Sequence, residues 1–312
     1  MRPPGGGRGH GRRRRLIHLR ASRLVSVLEE GGVPWFGACC PLVEQEFTSP
    51  YSFVLGSLFP AQGVGAVLKM VEDGCANIVQ LYVDIPAADI GLTFTNNALR
   101  SVGYDLSKQK VVKIPLAAQD YSAQAAEATD GTDCIYGGIA DSNWAAFLPA
   151  MQSAGADQRL YGLQGNLNSK IVEQFPDLTQ DAVISNSYPH LDGPMWEDYR
   201  GALETYDAPD LDWNSLAGLG TWAAYTAFTD IASGLEDITA ETFFEAANST
   251  TALDTGGMVP VLDLSTPYEG AGGTLPRIVN RSVYFDIAKD GKVEPLETEP
   301  LDVTNAIDGE PL

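Results

Sequence analysis

Few residues in this chain have the type and spacing that catalysis requires. Beyond the first 23 positions there is one histidine, His190, in Tyr188-Pro189-His190-Leu191-Asp192. A hydrolytic serine or cysteine needs a base within reach, usually histidine. His190 has no such neighbour in sequence and reads as a surface or packing residue in a strand-exit loop. There is no G-x-S-x-G elbow, no H-E-x-x-H pair and no G-x-x-x-x-G-K-[ST] loop. Gly63-Val64-Gly65 lacks the third glycine of a dinucleotide fingerprint and falls inside a helical pattern. The adjacent Cys39-Cys40 pair lacks a second pair of ligands at zinc spacing, which Cys75 and Cys134 do not supply, so small buried thiols are expected. The carboxylate pairs Asp210/Asp212 and Glu236/Asp237 fall in loops or at a helix end, where a solvated acidic face explains them. The residues therefore point to binding and not to an enzyme, with no cofactor and no metal implied.

The elements that would position a binding site are clear. Strands are expected at 33–37, 52–55, 78–83, 110–116, 134–136, 159–163 and 182–185, interleaved with helices at 61–73, 87–102, 121–129, 143–153, 168–174 and 195–206. Short apolar strands in a repeated strand–helix rhythm predict parallel sheets covered by helices on both faces. After Pro209 the rhythm changes to a long helix at 216–235, carrying Trp222, Tyr225 and Phe228 as a core stripe, and a threonine-capped helix near 239–247. Residues 257–296 read as β-rich, with an Asp290-Gly291 hairpin turn, and 297–312 as a frayed acidic tail.

Charge divides the chain. Lys and Arg number 20 against 41 Asp and Glu, a net charge of −21. Eight of those cations are arginines within residues 1–23, a segment with no acid, so the remaining 289 residues carry a net −29. The Gly/Pro/Arg head has little to bury and does not fold alone. It reads foremost as a start or frame artefact; a disordered nucleic-acid arm and an export signal are the other readings. An export signal needs an uninterrupted apolar run, which Arg20, Arg23, Glu29 and Glu30 break. A body at −29 repels phosphate, so no nucleic-acid partner is expected.

In order and spacing, several segments resemble the leucine/isoleucine/valine-binding family, the type I periplasmic substrate-binding proteins of ABC transporters. Val27-Leu28-Glu29-Glu30-Gly31-Gly32-Val33-Pro34-Trp35-Phe36-Gly37-Ala38 is similar to its helix-end element with Ile-Pro, and Ser49–Phe53 to its next strand. Ile78–Asp84 looks like its first crossover between lobes. Val112–Gln124, with Ile114-Pro115 and Asp120-Tyr121-Ser122-Ala123-Gln124, resembles its V-P…D-F-T-x-Q segment. Asp133–Tyr136 followed by Ala145–Leu148 resembles the next strand–helix unit, and Asp290-Gly291-Lys292 the near-terminal hairpin. The resemblance covers residues 24–296.

It implies an α/β fold of two Rossmann-like three-layer αβα lobes, the first incomplete because two strand–helix units of the family pattern have no counterpart ahead of Val33. The implied partition is a basic head at 1–23, a partial lobe one at 24–82 plus 210–257, lobe two at 83–209 plus 258–296, and the tail. A partial lobe one would expose a sheet edge and be unstable. The implied function is the solute-binding component of an ABC importer, a monomer that clamps a small molecule and presents it to membrane permease subunits. It would work outside the cytoplasm, although the chain as given shows no signal peptide. A cytoplasmic amide or amino-acid sensor on the same fold and a non-functional remnant are the alternatives.

By position, the resemblance implies ligand contacts at Ala38, Cys39 and Cys40 in lobe one and at Ile90, Gln164 and Tyr188 in lobe two, with Val83 and Asp84 at the hinge. Ile90 stands where the family often has a cleft tyrosine, and Gln164 where it often has an acid that meets an ammonium. A glutamine hydrogen-bonds but does not neutralise a cation. An amide, an organic acid or an uncharged metabolite therefore fits as well as an amino acid.

Overall fold

A computed structural model describes residues 23–37, 44–116, 118, 120–206 and 214–312. Helix α1, over residues 23–30, ends at Gly31-Gly32, where Gly32 adopts φ +66°. Strands β1 (Trp35–Phe36) and β2 (Ser52–Phe53) pair in parallel, Trp35 opposite Ser52, with the short helix α2 (Gln45–Thr48) between them. The chain then enters a second unit through α3 (Leu58–Glu72). It alternates β3 (Ile78–Val83), α4 (Pro86–Ser101), β4 (Gln109–Ile114), α5 (Ser122–Thr129), β5 (Cys134–Gly138), α6 (Asp141–Ser153) and β6 (Arg159–Leu163). α7 (Ser169–Gln174), α8 (Pro176–Thr179) and β7 (Val183–Asn186) follow. The chain returns to the first unit for α9 (Glu197–Thr205), α10 (Leu216–Ser233) and α11 (Ala240–Ser249), and ends in the second with β8 (Ser282–Lys289), β9 (Lys292–Asp302) and α12 (Thr304–Asp308).

The larger unit is a seven-stranded sheet in the order β4-β3-β5-β6-β7-β8-β9. Its first five strands are parallel, and β8 and β9 run antiparallel at one edge. All six residues of β3 are buried, as a strand covered on both faces requires. One face packs on α3, α4 and α12 through Val64, Val67, Phe94, Leu99 and Ile307. The other packs on α5, α6 and α7 through Tyr121, Trp144, Phe147 and Ile171. Gly137 and Gly138 allow this double cover at β5. A Cβ at Gly137 would meet the Trp144 ring at 2.1 Å, and one at Gly138 the Tyr82 ring at 2.6 Å. The expected α/β class and three-layer arrangement are therefore present, and the Asp290-Gly291 hairpin joins β8 to β9 with both residues at positive φ.

The smaller unit gathers β1, β2, α9, α10, α11 and the irregular stretch 253–264 around Phe53, Trp196, Leu219, Phe243 and Val259. Three passages join the units, at 55–57, 186–188 and 280–282. They are cross-bonded: Gln62 Nε2 donates to Ser187 Oγ at 2.9 Å and Asn280 Nδ2 to the Leu55 carbonyl at 2.9 Å.

Several expectations are corrected. Ile78–Tyr82, assigned to lobe one, hydrogen-bond to β4 and β5 inside the large sheet, and α3 packs on that sheet. Residues 258–264, assigned to lobe two, pack with α10 and α11, whereas Tyr268, Ala271 and Leu275 lie on the core of the large unit; instead of a β-rich layer the stretch makes two isolated bridges, Leu253 to Leu262 and Val54 to Ile278. The acidic tail is ordered, because β9 pairs with β8 and α12 buries Ala306 and Ile307 against the core. Of the α10 aromatics, Trp222 packs against the small unit's core and Phe228 against Phe243, but Tyr225 does not join them. Leu219, Ala223, Ala227 and Ile231, spaced by four, face inward, leaving Tyr225 70% exposed. Cys75 and Cys134 are not separate thiols but a disulfide with Cα atoms 6.0 Å apart.

That disulfide closes a separation of 59 residues, which in the chain-entropy account stabilises the fold by about 4 kcal/mol. Reduction, or Cys75→Ser with Cys134→Ser, is expected to lower the unfolding midpoint in a thermal melt; an unchanged midpoint would show that the staple contributes nothing. Ile307→Ala should cost roughly 2–4 kcal/mol in denaturant unfolding if α12 is part of the core, and almost nothing if the tail frays.

Candidate functional site

All five parallel strands of the large sheet end on the same edge, and that edge faces the smaller unit. β3 lies between β4 and β5, and the chain leaves β3 for α4 on one face and β5 for α6 on the other. Such a switch of direction opens a crevice beyond the strand ends. It holds a cavity of about 280 Å³, floored by Tyr82, Tyr136, Gly138 and Leu163 and rimmed by the exposed Phe59 and Leu116. The rings of Tyr82 and Tyr136 meet edge to face at 5.8 Å. Tyr82 Oη is held by Thr95 Oγ1 at 3.2 Å and donates to Gln80 Oε1 at 3.3 Å. Burial raises both phenol pKa values, so the two groups stay neutral.

A second cavity, of about 350 Å³, lies on the other side of the loop after β6, and Asn166 lines both. This cavity is shared between the units. The large unit contributes Gln164, Gly165, Asn186 and Asp286; the small one contributes Asn214 and the first turn of α10, Ser215–Ala217. Gly165, at φ +85°, brings its backbone to Leu216 at a distance where an added Cβ would touch that side chain at 3.6 Å. Ser215 caps α10 by accepting from Gly218 N at 3.1 Å, so the backbone groups of Leu216 and Ala217 remain ahead of the first helical hydrogen bond.

The polar side chains of this cavity are poorly satisfied. Gln164 is 6% exposed; its Oε1 accepts from Ser187 N at 3.0 Å, while Nε2 has no partner among the described residues. Asn186 is wholly buried, and neither its Nδ2 nor its Oδ1 makes a hydrogen bond of acceptable geometry, although it adjoins Asp286. Asp286 is 1% exposed and receives a long bond from Asn214 Nδ2 at 3.4 Å. Burial pushes its carboxyl up to about 6, against the opposing pull of nearby His190.

The positions expected from sequence fall in different places. Gln164 lines the shared cavity. Ile90 does not reach either cavity: it is 53% exposed on the outer side of α4, beside Ala271 and Thr274, and its neighbour Gly91 faces the crevice instead. Tyr188 is 1% exposed and stacks edge to face on Trp196 inside the small unit's core, so it offers nothing to a ligand. Val83 and Asp84 continue the sheet, with Asp84 N bonded to the Ile114 carbonyl at 2.8 Å, and lie away from the passages between units. Ala38, Cys39 and Cys40 lie outside the described residues. His190 packs against the Val293 carbonyl at 3.2 Å, in keeping with a packing role. Asp286, Asn186 and Asn214 were not expected. The available signal was one acid amid the apolar run Val283–Ile287.

The sequence profile of the periplasmic binding proteins matches residues 17–266. The chain belongs to that family. Solved structures agree with the type I architecture. A leucine-binding protein from Thermotoga maritima superposes with a TM-score of 0.70 at 17% identity, covering 89% of this chain and 76% of that one. A branched-chain amino acid ABC transporter protein from Thermus thermophilus with bound valine gives 0.67 at 15% identity, covering 92% and 77%. A fatty acid ABC transporter substrate-binding protein from Thermomonospora curvata gives 0.65 at 16% identity, covering 88% and 68%. No curated protein sequence matches the chain. Among the described residues of this periplasmic binding protein, no helix is long and apolar enough to cross a membrane.

The carboxyl of Asp286 supplies a test of the site's electrostatics. It titrates near 6 in the folded protein and near 3.8 when unfolded, so its ionisation opposes folding. Its contribution is harmless below pH 4, and stability is lost as pH rises from 4 through 6, by on the order of 3 kcal/mol. Asp286→Asn should therefore melt at a higher temperature than wild type above pH 6 and at the same temperature below pH 4. A variant that is less stable at pH 7 would mean that the carboxylate is needed by the fold itself.

Proposed function

We propose that this protein is the solute-binding component of an ABC importer, which takes a small polar metabolite between its two units and hands it to membrane permease subunits. The observation that carries the reading is the shared cavity, whose walls come from both units. Gln164, Asn186 and Asp286 stand on one side and Asn214 to Ala217 on the other. A ligand there touches both walls and favours their approach, which shifts an open–closed equilibrium toward the closed form. The passages at 55–57, 186–188 and 280–282 serve as the hinge. Their hydrogen bonds keep three chain segments in register while the units turn. Two of the neighbours carry names that point to leucine and to fatty acids, and a third holds valine, so the fold itself accommodates unlike ligands.

An extracytoplasmic location suits the Cys75–Cys134 disulfide, since such bonds persist in oxidising compartments.

Ligand-dependent thermal shifts against amino acids, their amides and short organic acids test the reading. A ligand at 100 times its Kd adds about 2.7 kcal/mol to folding stability, enough for a clear shift. Small-angle scattering should show a smaller radius of gyration on binding. A protein whose melting point and radius respond to none of these classes is not their receptor.

A further inference from the structure

The sheet of the small unit is open on one side. In β1, Trp35 N donates to the Tyr51 carbonyl and Gly37 N to the Phe53 carbonyl, both at 2.7 Å, so alternate residues bond toward β2. The intervening N–H and C=O, those of Phe36, point to the opposite edge, where no strand lies among the described residues. An edge with unpaired backbone groups is a template for another strand. Beside it runs an exposed face of α10. Gly37 presses on that helix so closely that an added Cβ would meet the Ala224 Cβ at 2.2 Å. From this contact a groove of about 320 Å³ opens between Phe36, Thr221, Tyr225 and Phe228. Its rings are continuous with the core: Phe36 lies 5.1 Å and Phe228 4.8 Å from Phe243, while Tyr225 is left 70% exposed.

Two observations say what covers this face. The first is charge. Residues Val33–Gly37 carry none, and the 18 residues of α10 carry one, Asp230, in a chain that is otherwise strongly acidic. Copies of an acidic body repel each other, and their approach is least opposed where charge is missing. The second is that the open edge matches itself. About a two-fold axis normal to the sheet, β1 runs antiparallel to its own copy. A residue opposite itself in such a pair gives its N–H to the other copy's C=O and receives the same bond in return. Phe36 presents both groups, so a second copy satisfies them without a further strand from elsewhere. The same axis keeps both α10 helices on one side of the sheet, where their uncharged faces meet. We infer that the small unit is a dimer face. β1 of two copies pairs at Phe36 into one four-stranded sheet, and Tyr225 and Phe228 of each copy are buried against the other, in place of the monomer that the family resemblance implies. The solute-binding reading is independent of this face.

Sedimentation equilibrium of the full chain across the micromolar range tests the dimer. The expected mass is twice that of the monomer, and added salt should tighten association by screening the repulsion between two acidic bodies. Tyr225→Glu changes an exposed side chain, so it should weaken association at least tenfold while leaving the melting midpoint of the dilute monomer unchanged. Ile90→Glu, at a 53% exposed apolar position on the large unit, should leave association as it is. Amide exchange at Phe36 should slow as protein concentration rises. A chain that stays monomeric throughout, a dimer that loosens with salt, or one that Tyr225→Glu does not disturb overturns the inference. So does a Phe36 amide already protected in the dilute monomer, which would mean that the chain covers its own edge.

Discussion

Both faces of the seven-stranded sheet have to be kept from water, and most of this molecule follows from that requirement. Parallel strands need crossovers, the crossovers become the covering helices, and five parallel strands then finish along one edge. Close cover at β5 is possible because Gly137 and Gly138 yield their volume to Trp144 below and Tyr82 above. The crevice at that edge is thus a by-product of packing before it is a binding feature. The smaller unit meets this edge, and there side chains of both units line one cavity.

The apolar and polar parts of the cleft are kept apart by the short loop after β6. On one side aromatic rings and leucines line a surface with few unsatisfied groups. On the other stand a buried carboxylate and amide atoms that are incompletely hydrogen-bonded among the described residues. A fold that carries such groups gives up stability where it gains selectivity, since a molecule that fails to satisfy them is penalised on entry.

Local pattern told much of the fold. Six buried residues between Asn77 and Asp84 could only be a covered strand, and the helix expected at 87–102 forms at Pro86–Ser101. What escaped depended on distance in space. Nothing in the spacing of Cys75 and Cys134 shows that the starts of β3 and β5 are neighbours. In β8, Val283, Phe285 and Ile287 alternate with Tyr284 and Asp286, and alternation does not reveal that the outward face is covered too. Residues 297–312 read as a tail because their acids face solvent, while Val303, Ala306 and Ile307, with the partly buried Leu301, carry the docking. The transfer of Ile90 from the family pattern failed for a helical reason: one residue along α4 turns a side chain by about 100°, which exchanges the crevice for the outer groove. Gln164, fixed by a strand end instead of a helix face, lines the shared cavity.

Helix α3 begins at one passage between the units and ends beside the disulfide. Its 15 residues span about 22 Å, nearly the depth of the sheet. Gln62 in its first turns holds Ser187 at the passage, and Lys69 in its last turn pairs with Asp73 and Glu297 at the far side. The helix is therefore a strut pinned at both ends. In the proposed closure, such a strut would carry a turn of the small unit through to the covalently fastened end of the sheet, so that the large unit would turn as one plate about the three short passages.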